Sequence, residues 1–428
     1  MSKTFCPIPW NSVNMINNGD FRVCCNSDYK DRIGTRLKKE NGDLYNAGKD
    51  DWNEVRNSPL VKEVRKTILD GKWHSECERC RQEELSGVGS YRQKHVNDWS
   101  KWFGNRIDYN KALASTKTDG TLDTNQIPID QIDIRYGNFC NLKCRMCGPH
   151  DSHMWYDDYE KLHGKTRFED HDWFSNNENY KINFEKYGFN AHKLYFIGGE
   201  PLIIEEHKQS LKEIIESGKA DTIRLEYNTN LTSVSDELIE IWKHFKEIRI
   251  AASIDGFGKV FNYQRHPANF NKVSEIISKL DTTSDLNIRL WFHLTVTSLN
   301  VFHVPEFIKW KLENQFKRWN KEDSPSPTIS YHLCHTPEYY SIKILPIDLK
   351  NKIQNHYNDY IIWMENSSYS DNIKHDFKKK CQAILNYMNS EDYSQYLNQF
   401  INITKRLDLI RKQNITDVVP QYQHLFVE

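Results

Sequence analysis

The sequence predicts an α/β protein built around a partial (β/α)6 barrel of the TIM type. Six short apolar segments between residues 129 and 333 have the length and composition of β-strands. Helical segments with a 3.6-residue apolar period lie between them. Because repeated strand, helix, strand units indicate a parallel sheet, six such units fit a partial or full barrel.

The predicted strands are, in chain order, IDQIDIRY, AHKLYFIG, TIRLEYNT, EIRIAASID, NIRLWFHLTV and TISYHL. A segment at about residues 100–127, rich in Thr, Asp, Asn and Gly and without periodicity, is typical of a connector. After about residue 345 the chain again has helical spacing. We therefore predict an amino-terminal domain with its connector at 1–124, the barrel at 125–345 and a carboxy-terminal helical region at 346–428.

Charge and hydropathy exclude two classes of partner. The 428 residues include 58 basic and 59 acidic side chains, and no long run of one sign, so we expect no nucleic-acid partner. No apolar run approaches the roughly 20 residues that span a bilayer, and the first residues do not have the pattern of a secretory signal. We therefore expect a cytoplasmic protein with no membrane contact, in which the ten cysteines do not form disulfides and their two clusters indicate metal sites.

Three cysteines lie in the loop after the first predicted barrel strand, where barrel enzymes place their chemistry. Cys140, Cys144 and Cys147 occupy eight consecutive positions in CNLKCRMC. A structural zinc site needs four ligands, whereas a four-iron cluster bound by three thiolates leaves one iron open. The spacing alone leaves zinc and an iron–sulfur cluster as alternatives.

The spacing of these cysteines resembles the CxxxCxxC motif of radical S-adenosylmethionine (SAM) enzymes. Two later loops agree with this resemblance: FIGGEP resembles the GGE motif that binds the amino group of SAM, and SIDG resembles the residues that contact its ribose and carboxylate. The resemblance implies the following SAM-binding residues: Gly198, Gly199, Glu200, Ser253 and Asp255, with Asn228 and Asn300 on the same rim and Met146 over the adenine.

The resemblance also implies the chemistry. A [4Fe-4S] cluster on Cys140, Cys144 and Cys147 would bind SAM at its open iron. One electron, supplied by a flavodoxin- or ferredoxin-type donor, would then cleave SAM to a 5′-deoxyadenosyl radical. This radical would abstract hydrogen from an unactivated carbon, while the protein binds, orients and excludes water.

A second group of cysteines lies near the amino terminus. Cys6 and Cys24 flank NNGD, a tight-turn sequence, and Cys77 and Cys80 form a CxxC pair. This pattern resembles the first half of SPASM and twitch modules, although most relatives carry the module after the barrel. The resemblance implies a second, auxiliary [4Fe-4S] cluster on these four thiolates. Cys25 would be a spare thiol or an alternative ligand, and zinc in the same site is the other interpretation.

Relatives with such modules most often modify peptides or proteins, so we expect a ribosomally made peptide as the substrate and oxidation, cross-linking or epimerisation as the reaction. A small molecule such as a sugar or nucleotide is the alternative substrate. A non-catalytic iron–sulfur or zinc scaffold is the alternative function. By resemblance to peptide epimerases, Cys334 would return a hydrogen atom to the substrate, although an isolated cysteine is more commonly a small buried hydrophobe.

Overall fold

The computed structural model describes residues 3–27, 35–85, 89–320 and 327–426. Eight strands form one mostly parallel sheet in the order β2-β1-β3-β4-β5-β6-β7-β8. The strands are β1 Ser12–Met15, β2 Phe21–Arg22, β3 Gln131–Arg135, β4 Lys193–Ile197, β5 Arg224–Thr229, β6 Glu247–Ser253, β7 Ile288–Val296 and β8 Ser330–Leu333. Strands β3 to β8 match the six predicted strands in order, so the predicted fold class is confirmed.

The first two strands form a hairpin that the NNGD sequence predicts. β1 pairs antiparallel with β2, and Gly19 in the turn has a φ of +86°, a conformation that glycine adopts without strain. The sequence did not predict that β1 also pairs in parallel with β3, with Ser12 opposite Gln131. This pairing joins residues more than 100 positions apart, so no local pattern indicates it.

One face of the sheet around β3 and β4 is apolar and the other is charged. Phe196 of β4 is fully buried, and its ring centroid lies 4.7 Å from that of His207. On the opposite face Asp133 of β3 is fully buried, and Lys193 of β4 forms a 2.7 Å ion pair with Glu226 of β5. A barrel filled only by side chains normally carries branched apolar residues on its inner face. The buried charges are therefore a distinctive feature of this sheet.

Among the described residues the helices are α1 Ile8–Asn11, α2 Trp52–Val55, α3 Pro59–Leu69, α4 Glu78–Leu85, α5 Tyr91–Asn97, α6 Tyr109–Ala114, α7 Tyr156–His163, α8 Glu178–Tyr187, α9 Glu205–Glu216, α10 Asp236–Trp242, α11 Gly258–Gln264, α12 Phe270–Thr282, α13 Val304–Glu313, α14 Ile347–Glu365, α15 Asp371–Met388, α16 Leu397–Arg411 and α17 Gln423–Phe426. Several of these helices begin with a side-chain N-cap. The Asn269 side chain accepts from the backbone of α12, and the Ser370 side chain does the same for α15. The helical carboxy-terminal region is thus as predicted.

The chain divides into two compact units. Unit 1 comprises Met1–Phe139, Glu169–Tyr227 and Glu240–Ile248, and unit 2 comprises Cys140–Phe168, Asn228–Ile239 and Arg249–Glu428. The domain boundaries near residues 125 and 345 stay predictions. Within the part of the chain that the structure describes, no helix has the length and apolar character needed to cross a membrane.

Candidate functional site

The three-cysteine loop follows β3 and lies in unit 2. Cys140 and Cys144 are buried, and Cys147 is partly exposed. The backbone amide of Leu142 donates to Cys140 Sγ at 3.4 Å, and the indole Nε1 of Trp155 donates to the carbonyl of Cys144 at 2.9 Å. N–H groups that point at cluster sulfurs are among the features that tune an iron–sulfur site. The local backbone therefore suits thiolate ligands.

Met146 lies in a small apolar cluster with Cys140, Leu142 and Cys144, and Ala268 packs against it. The Met146 side chain is 8% exposed. A flexible thioether fills irregular space and can cover an aromatic ring. This environment fits the predicted role of Met146 over the adenine, which stays a prediction.

Two backbone hydrogen bonds tie the cysteine loop to the segment after α11. The amide of Lys143 donates to the carbonyl of His266 at 2.8 Å, and the amide of Arg145 donates to the carbonyl of Gln264 at 2.7 Å. The two donor residues flank Cys144 in the chain, and the two acceptor residues flank Arg265. Arg265 therefore lies opposite a predicted cluster ligand.

The side chain of Arg265 reaches two predicted site residues. Its Nη1 lies 3.8 Å from Cys144 Sγ, and its Nε lies 2.7 Å from Asp255 Oδ2. Asp255 and the two nearby thiols hold the pKa of Arg265 above its ordinary value although burial opposes this. Sequence reasoning missed Arg265, because it is separated from Cys144 by more than 100 residues and belongs to no motif.

A second neighbour of the cysteine loop was also missed. Asn230 Nδ2 lies 3.9 Å from Cys140 Sγ and donates to Asn141 Oδ1 at 2.9 Å. Asn230 is the second asparagine of YNTN, two residues after the predicted Asn228. The sequence therefore indicated the YNTN segment, and the structure places its second asparagine, Asn230, beside the thiol of Cys140. Asn228 itself is partly exposed in β5.

Asp255 lies in the loop after β6, where two hydrogen bonds hold it. Oδ1 of Asp255 accepts from the backbone amide of Thr295 at 2.8 Å, and the backbone carbonyl of Asp255 accepts from Asn300 Nδ2 at 3.1 Å. The Asn300 side chain is buried, and its Oδ1 accepts from the amide of Thr297 at 2.8 Å. Asn300 therefore braces the Asp255 loop. Ser253 at the end of β6 is partly exposed.

The GGE segment follows β4 and lies in unit 1. Gly198 and Gly199 have φ values of +83° and +45°. A Cβ on Gly199 would lie 2.1 Å from the carbonyl oxygen of Phe139, whose carbonyl also accepts from the amide of Glu200 at 2.8 Å. Only glycine permits this approach. Glu200 is buried, and its Oε1 accepts from the amide of Leu202 at 3.2 Å.

The amino-terminal cysteines are also in unit 1. Burial and then the charge of Cys80 raise the pKa of Cys77 to about 12, and burial raises that of Cys80 to about 11. Burial raises the pKa of Cys6, and the neighbouring Cys77 and Cys80 add to the effect. Burial also raises the pKa of Cys24, and the other four thiols of this region raise it further. Four thiols of one unit, Cys80 buried and the other three partly exposed, are a donor set that fits a metal centre.

Cys25 has different neighbours. Burial raises the pKa of Cys25; the next largest causes are Asp133, which also raises it, and Arg22 and the Tyr91 hydroxyl, which lower it. Its thiol therefore interacts with charged side chains of β2 and β3, and its charge also influences the pKa values of Cys24 and Cys80. Its role as a spare thiol or alternative ligand stays open.

Cys334 follows β8 and is 3% exposed. Its Sγ lies 3.6 Å from the carbonyl of Thr336, and its own carbonyl accepts from the Tyr387 hydroxyl at 3.1 Å. Nearby, the rings of His293 and His332 are in contact with centroids 4.5 Å apart. The hydrogen-donor role of Cys334 stays a prediction.

Residues 134–310 match the family model of the Radical SAM superfamily. The chain carries a radical SAM domain. The matched range contains the three cysteines, the GGE segment and the loop of Asp255. The predicted family resemblance is thereby confirmed.

Solved structures similar to this chain include anSMEcpe with bound AdoMet and a Cp18Cys peptide, at 20% identity over 54% of this chain and 58% of that one, with a TM-score of 0.34. Another is Streptococcus suis SuiB bound to S-adenosylmethionine, at 14% identity over 77% of this chain and 66% of that one, also with a TM-score of 0.34. In these two matches the chain spans less than two thirds of the solved structure's length. No curated protein matches the chain.

Proposed function

We propose that this radical SAM enzyme abstracts a hydrogen atom from a peptide or protein and thereby oxidises, cross-links or epimerises it. The observation that carries the proposal is the buried three-cysteine loop, whose sulfurs receive N–H groups from Leu142 and Arg265 within a radical SAM domain. Such contacts are those that an iron–sulfur cluster uses.

Each predicted residue has a task in this proposal. Cys140, Cys144 and Cys147 would hold the [4Fe-4S] cluster, which when bound supplies the electron that cleaves SAM. The residues that would bind SAM are Gly198, Gly199, Glu200, Asn228, Ser253, Asp255, Asn300 and Met146. The glycines allow the backbone to approach the ligand, and Asn300 keeps the loop of Asp255 in place. The apolar cluster around Met146 excludes water from the thiols.

An auxiliary cluster would allow further outcomes of the reaction on the substrate. Cys6, Cys24, Cys77 and Cys80 would hold a second [4Fe-4S] cluster, which would accept an electron from a substrate radical and so allow a net oxidation. A flavodoxin- or ferredoxin-type protein would supply the electron for SAM. The peptide class rests on the resemblance of these cysteines to SPASM and twitch modules, and a ribosomally made peptide is the first candidate.

Two measurements separate this proposal from its rivals. Anaerobic reconstitution should give about eight irons per chain if both sites bind clusters, and about four irons with one zinc if the auxiliary site is a zinc site. With dithionite and SAM, the reconstituted enzyme should form 5′-deoxyadenosine. Iron and sulfide bound without any 5′-deoxyadenosine would instead identify a scaffold protein.

The substrate class is tested by deuterium transfer. A uniformly deuterated cell extract, divided by size into peptides and small molecules, is added to the reconstituted enzyme with SAM. We expect deuterium in 5′-deoxyadenosine with the peptide fraction. Deuterium transfer only from the small-molecule fraction would assign the enzyme to a sugar, nucleotide or similar substrate.

A further inference from the structure

Arg265 is a charged side chain that contacts both a predicted cluster ligand and a predicted SAM contact. Its Nη1 lies 3.8 Å from Cys144 Sγ, and its Nε lies 2.7 Å from Asp255 Oδ2. Both contacts are within unit 2. The Arg265 side chain is 10% exposed and that of Asp255 is fully buried, so solvent screens this charge pair weakly.

The backbone fixes Arg265 in this position. Its own amide donates to the carbonyl of Phe261 at 2.8 Å, at the end of α11. The residues on either side of Arg265 accept backbone hydrogen bonds from Lys143 and Arg145, which flank Cys144. The position of the guanidinium beside the thiol is therefore set by the backbone as well as by the conformation of the side chain. The backbone on both sides holds the two residues opposite one another.

The chemical consequence follows from charge. Reduction of an iron–sulfur cluster adds one negative charge, and a buried positive charge beside a ligand sulfur stabilises that added charge. Charged N–H donors to sulfur act in the same direction. A carboxylate next to the same guanidinium offsets part of this effect. Arg265 and Asp255 should therefore move the reduction potential in opposite directions.

We propose that Arg265 is a positioning residue of the three-cysteine site, which raises the reduction potential of the cluster on Cys140, Cys144 and Cys147 and links that cluster to the Asp255 loop. The inference rests on the proposed function, since it requires that these cysteines hold the SAM-binding cluster. It goes further, because it assigns a residue and a physical role that no motif contains.

The test is an EPR-monitored redox titration of the reconstituted full-length enzyme without SAM. The signal of the SAM-binding cluster is recognised by its change when SAM is added in a parallel sample. We expect R265Q to shift the midpoint potential of this cluster to a more negative value. The potential of R265K should fall between those of R265Q and the wild type, because lysine keeps the positive charge but lacks the planar guanidinium with its several N–H donors. D255N should shift the potential to a more positive value.

The matched control is R224Q, which alters an arginine of unit 1 whose side chain is 13% exposed and whose ion pair with Glu247 measures 3.3 Å. R224Q should leave the midpoint potential unchanged. General damage to the site would not move the potential in opposite directions in R265Q and D255N. An unchanged potential in R265Q and R265K, with iron content equal to that of the wild type, would overturn the inference. A cluster whose EPR signal does not respond to SAM in the wild-type enzyme would instead overturn the proposed function.

Discussion

Gly199 lies so close to Phe139 that no side chain can occupy its position. A Cβ there would lie 2.1 Å from the Phe139 carbonyl oxygen, and its φ of +45° also disfavours other residues. Gly199 is the second glycine of the GGE segment, and Phe139 immediately precedes the first cysteine of the loop. The contact therefore joins two segments of unit 1 that lie 60 residues apart in the sequence.

We predict that G199A abolishes SAM cleavage. The new methyl group would force the backbone of Phe139 to move, in addition to a strain of about 1 kcal/mol from the positive φ. The measurement is 5′-deoxyadenosine formation by the reconstituted variant. The matched control is G218A, because Gly218 has a φ of +72° but no atom within 4 Å of the added Cβ. G218A should keep wild-type activity, and equal activity in both variants would contradict the prediction.

The cysteine loop also depends on the carboxy-terminal helix α16. Arg145, whose side chain is fully buried, forms an ion pair with Asp408, and the Tyr263 hydroxyl donates to Asp408 Oδ1 at 2.9 Å. Because D408A would leave the Arg145 charge buried without this partner, we expect it to destabilise the protein by about 3–5 kcal/mol. Chemical denaturation with a tryptophan fluorescence readout measures this.

The control for D408A is D157A, which removes the exposed i, i+4 pair between Asp157 and Lys161. Exposed pairs of this kind contribute little to stability, because solvent screens them. Equal destabilisation in the two variants would show that the buried pair does not support the cysteine loop.

We predict that the double variant C77A/C80A loses the auxiliary cluster and keeps the SAM-binding one. These two thiols interact electrostatically with Cys6 and Cys24, and the SAM-binding cysteines belong to unit 2. Iron analysis should show about half of the wild-type iron if each site holds four atoms. The control is C381A, because Cys381 is fully buried in α15. An unchanged iron content in C77A/C80A would contradict the assignment of the auxiliary ligands.

His207 should make the stability of the protein depend on pH. Burial lowers its pKa to about 3, and its Nε2 lies 3.0 Å from the Tyr227 hydroxyl. A histidine whose pKa is lower in the folded state than in the unfolded state contributes stability above the unfolded pKa of about 6.5, and that stability is lost as the pH falls toward the folded pKa. We expect the wild type to lose about 2 kcal/mol from this group between pH 7.5 and 5.

The measurement for His207 is the free energy of unfolding at several pH values for the wild type and H207Q. Glutamine can keep the hydrogen bond to Tyr227 but does not titrate. The difference between the two proteins should therefore change by about 2 kcal/mol in favour of H207Q as the pH falls. A constant difference across this range would show that His207 does not titrate as its burial requires.

The sequence could predict the features that are written in local patterns. The six barrel strands follow from their apolar segments, and the hairpin follows from NNGD, whose Gly19 indeed has a positive φ. The three cysteines, the GGE segment and Asp255 follow from motif spacing. The sequence could not predict that β1 joins β3, because partners in a parallel pair are distant along the chain. For the same reason Arg265 and Asp408 gave no signal, since each acts through a contact formed only in the folded chain.

The central claim is that the three-cysteine loop supports reductive cleavage of SAM, and the direct measurement is the amount of 5′-deoxyadenosine formed by the anaerobically reconstituted enzyme with dithionite and SAM. The wild type should form this product, and C144A should form none although its auxiliary site keeps iron. Equal amounts of 5′-deoxyadenosine in C144A and the wild type, or none in a wild type that binds iron and sulfide, would contradict the account.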